Sequence, residues 1–312
     1  MINSLRTLLA HKLKNNKPKL NHGGFTLIEL LVAMIVAVLI IAPLLRFMIT
    51  VLDTDRKEQA KATSEQEIQA AMDYIARDLE QAVYIYDDSE IHDQIPPDAN
   101  TVDGCNSDNC TPVLVFWKRK HFDREDVVDG ETIGDLTDGN DTFVYALVAY
   151  YLITEENPTW SNIARIGRFE IRDEVIDVNS REVGIPASSG FNSFDLSNTT
   201  GSSLKEKLNQ WEKGAGNYDT PVQILVDYID NTAAAEVTPD CPNNYSSVPN
   251  EPNGGFYACV DADKKIAQVF LRGNALARLK TNPEDYEYQP NRSSYFPTVT
   301  MQIEGRGFLN IN

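Results

Sequence analysis

Residues 24–45 read GFTLIELLVAMIVAVLIIAPLL, and Glu29 is the one ionisable side chain among them. A helix rises about 1.5 Å per residue, so the part of this run from Phe25 onward would reach about the thickness of the hydrocarbon core of a bilayer. The run therefore predicts a transmembrane helix, which we place at residues 25–52.

Positive charge is concentrated before this run. No acidic residue precedes Phe25, and the basic residues there are Arg6, Lys12, Lys14, Lys17 and Lys19. The chain turns acidic beyond Arg46. Because cytoplasmic flanks of transmembrane helices are enriched in Lys and Arg, this asymmetry predicts a cytoplasmic N-terminus and export of everything after about residue 47.

The small residues Gly23 and Gly24 stand before the apolar run. An ordinary signal peptide carries its cleavage site after the run, so the alternatives are cleavage after Gly24 and an uncleaved signal anchor. Glu29 bears on this choice, since a carboxylate in a transmembrane helix costs about 2.5–3.5 kcal/mol on insertion scales. Cleavage after Gly24 would create an α-amine on Phe25, and the amine of a neighbouring subunit could then reach Glu29.

Residues 24–29, GFTLIE, followed by the apolar run, resemble the prepilin peptidase site of type IV pilins and type II secretion pseudopilins. The resemblance implies cleavage between Gly24 and Phe25, N-methylation of Phe25, and Glu29 as the carboxylate of fibre assembly. It also implies three partners: a prepilin peptidase, an assembly platform in the inner membrane, and other major and minor pilins or pseudopilins. The mature chain would then be a single-pass inner-membrane protein with a periplasmic domain, extracellular after assembly.

Pro43 lies inside the predicted transmembrane helix. Proline removes a backbone donor and crowds the carbonyl four residues earlier, here Leu39, which predicts a kink or local loosening near residues 39–43. The resemblance leaves a second alternative, since family members with a proline in this region have helices that melt in the fibre.

The pattern after the membrane run predicts an α+β domain. Residues 53–86 read as an amphipathic helix whose apolar stripe should pack on a sheet: Ile68, Met72, Ile75, Leu79 and Val83. Branched and aromatic runs then predict six strands, at residues 113–117, 142–154, 163–176, 222–229, 266–271 and 299–303. Polar loops separate them, and that at 177–220 holds a possible short helix at 204–211. The predicted organisation is a leader at 1–24, the two helix segments, and a β-rich domain at 87–312, with an antiparallel sheet and long loops as in pilins.

Two further segments narrow the resemblance. The helical segment MDYIARDLEQAV at residues 72–83, with the later strand segment VAYYLI, is similar to J-type minor pseudopilins and W-type minor pilins. Residues 53–88 are also similar to a cyanobacterial pseudopilin associated with hormogonium polysaccharide secretion. The implied function is a minor subunit that primes or caps a short periplasmic fibre, for polysaccharide secretion or gliding motility.

Composition argues against two other classes of function. Of 28 basic residues five precede Phe25, so 23 face 46 acidic ones in the remainder, for a formal charge of −23. This surface would repel a phosphate backbone, and the sequence contains no P-loop, GxSxG, HExxH or GxGxxG motif. We therefore predict no nucleic-acid partner and no enzyme. The alternative is a tip adhesin or substrate-binding receptor, in which Trp160 and Trp211 would contact a polymer, although both could equally be core residues.

The four cysteines fall in two local pairs. Local pairing would join Cys105 to Cys110 and Cys241 to Cys259, as expected for an exported domain, although the two other connectivities stay open. The Cys241–Cys259 disulfide, which would close the longer loop, would stabilise the folded domain by about 3 kcal/mol. No cofactor is expected. The alternative is a Ca²⁺ site in one of two acidic loops, one at residues 98–108 and one containing Asp135, Asp138 and Asp141.

Overall fold

A computed structural model describes residues 24–91, 105, 109–155, 157–194, 196–197, 200–233 and 239–307. The chain divides into two compact units, one ending at Asp55 and one beginning at Arg56. The predicted leader lies outside the described residues, except for Gly24.

The described residues form five α-helices, two short 3₁₀ helices and thirteen strands. The α-helices are α1 (Leu27–Leu79), α2 (Asp88–Ile91), α3 (Ile133–Leu136), α4 (Leu204–Leu208) and α5 (Pro283–Tyr286). The 3₁₀ helices are Leu276–Arg278 and Pro290–Tyr295. The strands are β1 (Ala82–Ile85), β2 (Cys110–Phe122), β3 (Val127–Val128), β4 (Glu131–Thr132), β5 (Thr142–Ile153), β6 (Ala164–Arg172), β7 (Val175–Ile176), β8 (Val183–Ile185), β9 (Gln223–Ile229), β10 (Ser246–Val248), β11 (Phe256–Asp261), β12 (Ile266–Arg272) and β13 (Thr298–Glu304).

The first unit is the N-terminal part of α1. Its apolar side chains are exposed, and the helix is long and apolar enough to cross a membrane by length and composition. Pro43 lies within α1, and helix is assigned on both sides of it. A kink or melting at this proline stays a prediction.

The second unit contains the C-terminal part of α1. Buried residues recur here at intervals of three and four, from Ala60 to Leu79, so one face of the helix packs into the core. The prediction that the helix continues to residue 86 is wrong, because α1 ends at Leu79. Val83 instead belongs to β1, where the run VYI pairs with β2, with Tyr84 opposite Trp117. Branched and aromatic residues favour this extended pairing over another helical turn.

Two antiparallel sheets form most of this unit. The larger has the order β1-β2-β5-β6-β9, and the smaller has the order β10-β11-β12-β13. Two-stranded hairpins, β3-β4 and β7-β8, lie beside a small separate apolar cluster. The predicted fold class, a long helix packed on antiparallel β structure, is confirmed.

Each of the six predicted strands overlaps an observed one, although the observed bounds differ from the predicted ones in every case. The run at 163–176 is divided into β6 and β7, because Asp173 and Glu174 interrupt it. The segment between β9 and β12, predicted as a polar loop, contains β10 and β11; the Pro, Asn and Gly residues around these short strands gave it a loop-like composition. The short helix predicted at 204–211 is α4 and ends at Leu208.

The cysteines pair locally. Cys105 is joined to Cys110 and Cys241 to Cys259, with Cα–Cα distances of 5.7 and 5.4 Å. The second bridge fastens the segment before β10 to the buried Cys259 of β11, a central strand of the smaller sheet.

Candidate processing and assembly site

Gly24 and Phe25 stand just before the first residue of α1. Phe25 is 86% exposed, and a β-carbon added to Gly24 would meet no atom within 4 Å. Packing within the described chain therefore does not require glycine at position 24. The requirement for a small residue, if present, comes from outside the chain, as it would for recognition by a peptidase.

Thr26 and Glu29 form a capping box at the start of α1. The Thr26 backbone N–H and hydroxyl each donate to Glu29 Oε2 at 3.0 Å, and the Glu29 N–H donates to Thr26 Oγ1 at 3.3 Å. These bonds satisfy donors that the first helical turn leaves without partners. Thr26 is a site residue that sequence reasoning missed. The spacing T-x-x-E before an apolar run was the signal that could have found it.

Glu29 keeps bonding capacity beyond this cap. Both side-chain bonds end on Oε2, and no described residue donates to Oε1. An ionised carboxylate can accept about four hydrogen bonds, so Oε1 can take a charged donor while Thr26 still holds Oε2. The geometry allows Glu29 to bind an external ammonium group without uncapping its own helix.

The surface around Glu29 is apolar and open. A shallow groove of about 600 Å³ follows one face of α1 here, lined by Phe25, Ile28, Glu29, Val32, Ala33, Val36 and Ala37. The small side chains Ala33 and Ala37 allow close approach to the helix axis. The groove is therefore shaped for another apolar helix and has a single carboxylate at its end.

Residues 19–45 match the family model of the prokaryotic N-terminal methylation motif. The match supports a type IV pilin-like protein. It covers Gly24, Phe25, Glu29 and Pro43, and it implies processing by a prepilin peptidase and assembly with other pilins. No curated protein and no solved structure matches the chain.

Of the three aspartates predicted as calcium ligands, Asp141 belongs to a close group of possible metal ligands, and the calcium site stays a prediction. Among the described residues, the group whose ligand atoms lie within 4.8 Å of one another is His121, Asp123 and Asp141, all exposed. Asp135 and Asp138 are not part of it. Residues 98–104 and 106–108 of the other predicted loop lie outside the described residues.

A second cluster of ionisable groups was missed by sequence reasoning. Asp78 of α1 accepts from Lys118 at 2.6 Å, and from the Tyr150 hydroxyl and Arg168 Nε at 2.8 Å each. Glu170 lies 2.9 Å from Lys118 and also pairs with Arg168 and Lys120. These groups are largely buried and bind one another. The cluster therefore has a structural role, since it joins α1 to the larger sheet.

The two tryptophans differ in their surroundings. Trp211 is buried and packs edge-on against Trp117, while its indole N–H donates to the Asn192 carbonyl at 2.5 Å. It is a core residue, so the suggestion that it contacts a polymer is wrong. Trp160 is 39% exposed.

Proposed function

We propose that this chain is a minor pseudopilin or minor pilin that primes or caps a short periplasmic fibre of a type II secretion or type IV pilus-like system. Its mature form begins at N-methylated Phe25 and crosses the inner membrane once, with the domain after the helix in the periplasm. It catalyses no reaction and acts by binding other subunits. Polysaccharide secretion or gliding motility is the process that the resemblance of residues 53–88 favours.

The observation that carries this proposal is a carboxylate placed on an exposed apolar helix, five residues from the cleavage site. Once lipid or another helix excludes water, an ionised Glu29 needs a compensating charge beyond the neutral donors of Thr26. The α-amine of Phe25 on a neighbouring subunit supplies it, and Oε1 is the atom left to receive it. This pairing also fixes the axial register between subunits.

The alternative function is a tip adhesin or a receptor for a secreted polymer. Of the two tryptophans suggested for polymer contact, Trp160 is the exposed one. A subunit at the outermost end of the fibre binds no further subunit beyond itself and does not need the assembly carboxylate. The presence of Glu29 therefore argues against a tip adhesin at that end.

Replacing Glu29 by Leu tests the proposal. We expect Glu29→Leu to insert and to be cleaved after Gly24, because a charge is removed from the membrane and the peptidase site is intact. Recovery of other pilin-class subunits by co-immunoprecipitation should fall more than tenfold. Glu65→Leu, an exposed glutamate later on the same helix, is the matched control and should leave recovery unchanged.

Mass spectrometry of the membrane-extracted protein accompanies this test. The expected N-terminus is N-methylated Phe25. An intact Met1, or normal partner recovery and secretion with Glu29→Leu, would overturn the proposal.

A further inference from the structure

The two edges of the five-stranded sheet differ in how they are covered. At the β1 edge, the chain's own C-terminal segment supplies backbone bonds: Gly307 N–H donates to the Ala82 carbonyl and Arg306 N–H to the Glu80 carbonyl, both at 2.9 Å. At the β9 edge, residues 223–227 have no backbone partner other than β6 among the described residues. Pairing on the outer side begins only at Tyr228, whose carbonyl accepts from Asn274 N–H at 2.8 Å.

A groove of about 840 Å³ runs beside this open edge. The groove is lined by Ala70, Ala71 and Tyr74 of α1, by Trp160, and by residues of β9, Leu225 among them. Tyr74 is 44% exposed, and Trp160 is 39% exposed. The groove therefore combines an apolar lining with an unpaired strand.

The polar side chains of the groove fall into two kinds. Asp227 accepts from the backbone N–H and hydroxyl of Ser161, and Glu67 pairs with Arg278. The Tyr74 hydroxyl and the Trp160 indole N–H have no hydrogen-bond partner among the described residues. The unused hydrogen-bonding groups of the groove are thus the β9 backbone, the Tyr74 hydroxyl and the Trp160 indole N–H, while its charged side chains are already paired.

We propose that the β9 edge binds an extended segment of a different polypeptide, which adds a strand of about five residues to the sheet. The backbone of a strand presents donors and acceptors at a fixed repeat, and another extended chain matches that repeat. Its alternate side chains would enter the groove between Tyr74 and Trp160, as in other cases of strand addition.

Charge decides between a different chain and a second copy. The chain from Phe25 onward carries a formal charge of −23, so two copies repel one another. A segment of low or positive net charge, on another subunit, meets no such repulsion. The inference rests on the proposed function in this respect, because that subunit reaches the domain in an assembled fibre.

The test uses the full-length protein in the cells that produce it, with a photo-crosslinking amino acid at Leu225. We expect an adduct with one contiguous segment of a different pilin-class subunit. In the purified complex, amide hydrogen exchange at residues 223–227 should be at least tenfold slower than in the free full-length protein. Together these results show backbone pairing and identify its source.

Two substitutions complete the test. Leu225→Lys places a charge in the groove and should lower recovery of that subunit more than tenfold. Val127→Lys makes the same change at an exposed apolar residue outside both the groove and residues 223–227, and should not lower it. Should Leu225→Lys fail to fold by circular dichroism, Trp160→Ala at the exposed wall replaces it, with the same expectation.

Each other outcome overturns the proposal. An adduct with a second copy or with a glycan contradicts the assigned partner, and unchanged amide exchange contradicts strand addition. If Leu225→Lys and Trp160→Ala leave all partner recovery unchanged while Glu29→Leu abolishes it, the edge proposal fails and the assembly function stands. If Glu29→Leu also has no effect, both fail.

Discussion

Asp78 shows how single residues join helix to sheet in this domain. Burial alone raises the pKa of its carboxyl, but the hydrogen bond from Arg168 and the charge of Lys118 outweigh burial, so the pKa lies below its ordinary value. The same balance, with Lys118, Arg168 and Lys120 as the cations, holds the pKa of Glu170 well below its usual range. Burial and the charge of Asp78 raise the pKa of Tyr150, which keeps its hydroxyl a donor.

Removing Asp78 should destabilise the domain strongly. In Asp78→Ala, Lys118 and Arg168 stay buried with Glu170 as their remaining carboxylate, and loss of one partner from a buried pair costs about 3–5 kcal/mol. The free energy of unfolding, measured with denaturant, should fall by about that amount. Asp73→Ala, an exposed aspartate of the same helix, should change it by less than about 0.5 kcal/mol. Equal effects of the two substitutions would contradict a fastening role for the cluster.

The cluster should also make the domain sensitive to acid. A carboxyl whose folded-state pKa is depressed contributes stability that is fully present above its unfolded pKa, about 4, and is lost as pH falls through the folded pKa. The free energy of unfolding should therefore decline below about pH 4. Glu170→Gln removes one of the two groups, so the slope of this decline should become shallower by up to about 1.4 kcal/mol per pH unit. Asp73→Asn should leave the slope as it is, and an unchanged slope in Glu170→Gln would refute the assignment.

At the scale of elements, the sequence predicts what depends on local spacing. Gly24, Phe25 and Glu29, which mark the processing site and the first turn of α1, fall within six consecutive residues. The apolar stripe after residue 60 has a regular period, so both halves of α1 could be predicted. The end of the helix could not, because whether VYI continues a helix or pairs as β1 depends on β2, more than thirty residues later.

Prediction missed both short strands and distant contacts. β11 is a six-residue strand between its chain neighbours β10 and β12, with a disulfide at Cys259. The cluster around Asp78 joins residues 40 to 90 positions apart along the chain. No local pattern marks such contacts, since each charged residue alone reads as part of a solvated surface.

At the scale of the whole molecule, the two units have different burial. Apolar side chains before Asp55 are exposed, whereas burial on α1 begins at Ala60 and continues into two sheets. The described part of the first unit therefore suits an apolar environment, and the second unit has a core of its own. This division matches the proposed function, in which the first unit crosses the membrane and the second lies in the periplasm.

A fragment that begins at Arg56 should consequently fold by itself. Exported to an oxidising compartment, which lets both disulfides form, residues 56–312 should be monomeric and soluble because their acidic surface keeps copies apart. Their thermal midpoint should lie within a few degrees of that of the same transition in the full-length protein in detergent, since none of the described side chains before Ala60 is buried. Size-exclusion chromatography with light scattering and thermal denaturation measure both properties.

A fragment that begins at Glu80 is the control. It loses four buried side chains from the core, Ile68, Met72, Ile75 and Leu79, and the cost of four such deletions far exceeds the typical stability of a domain, about 5–15 kcal/mol. Aggregation of the longer fragment, or folding of the shorter one, would show that the boundary between anchor and folded domain does not lie at residues 55–56.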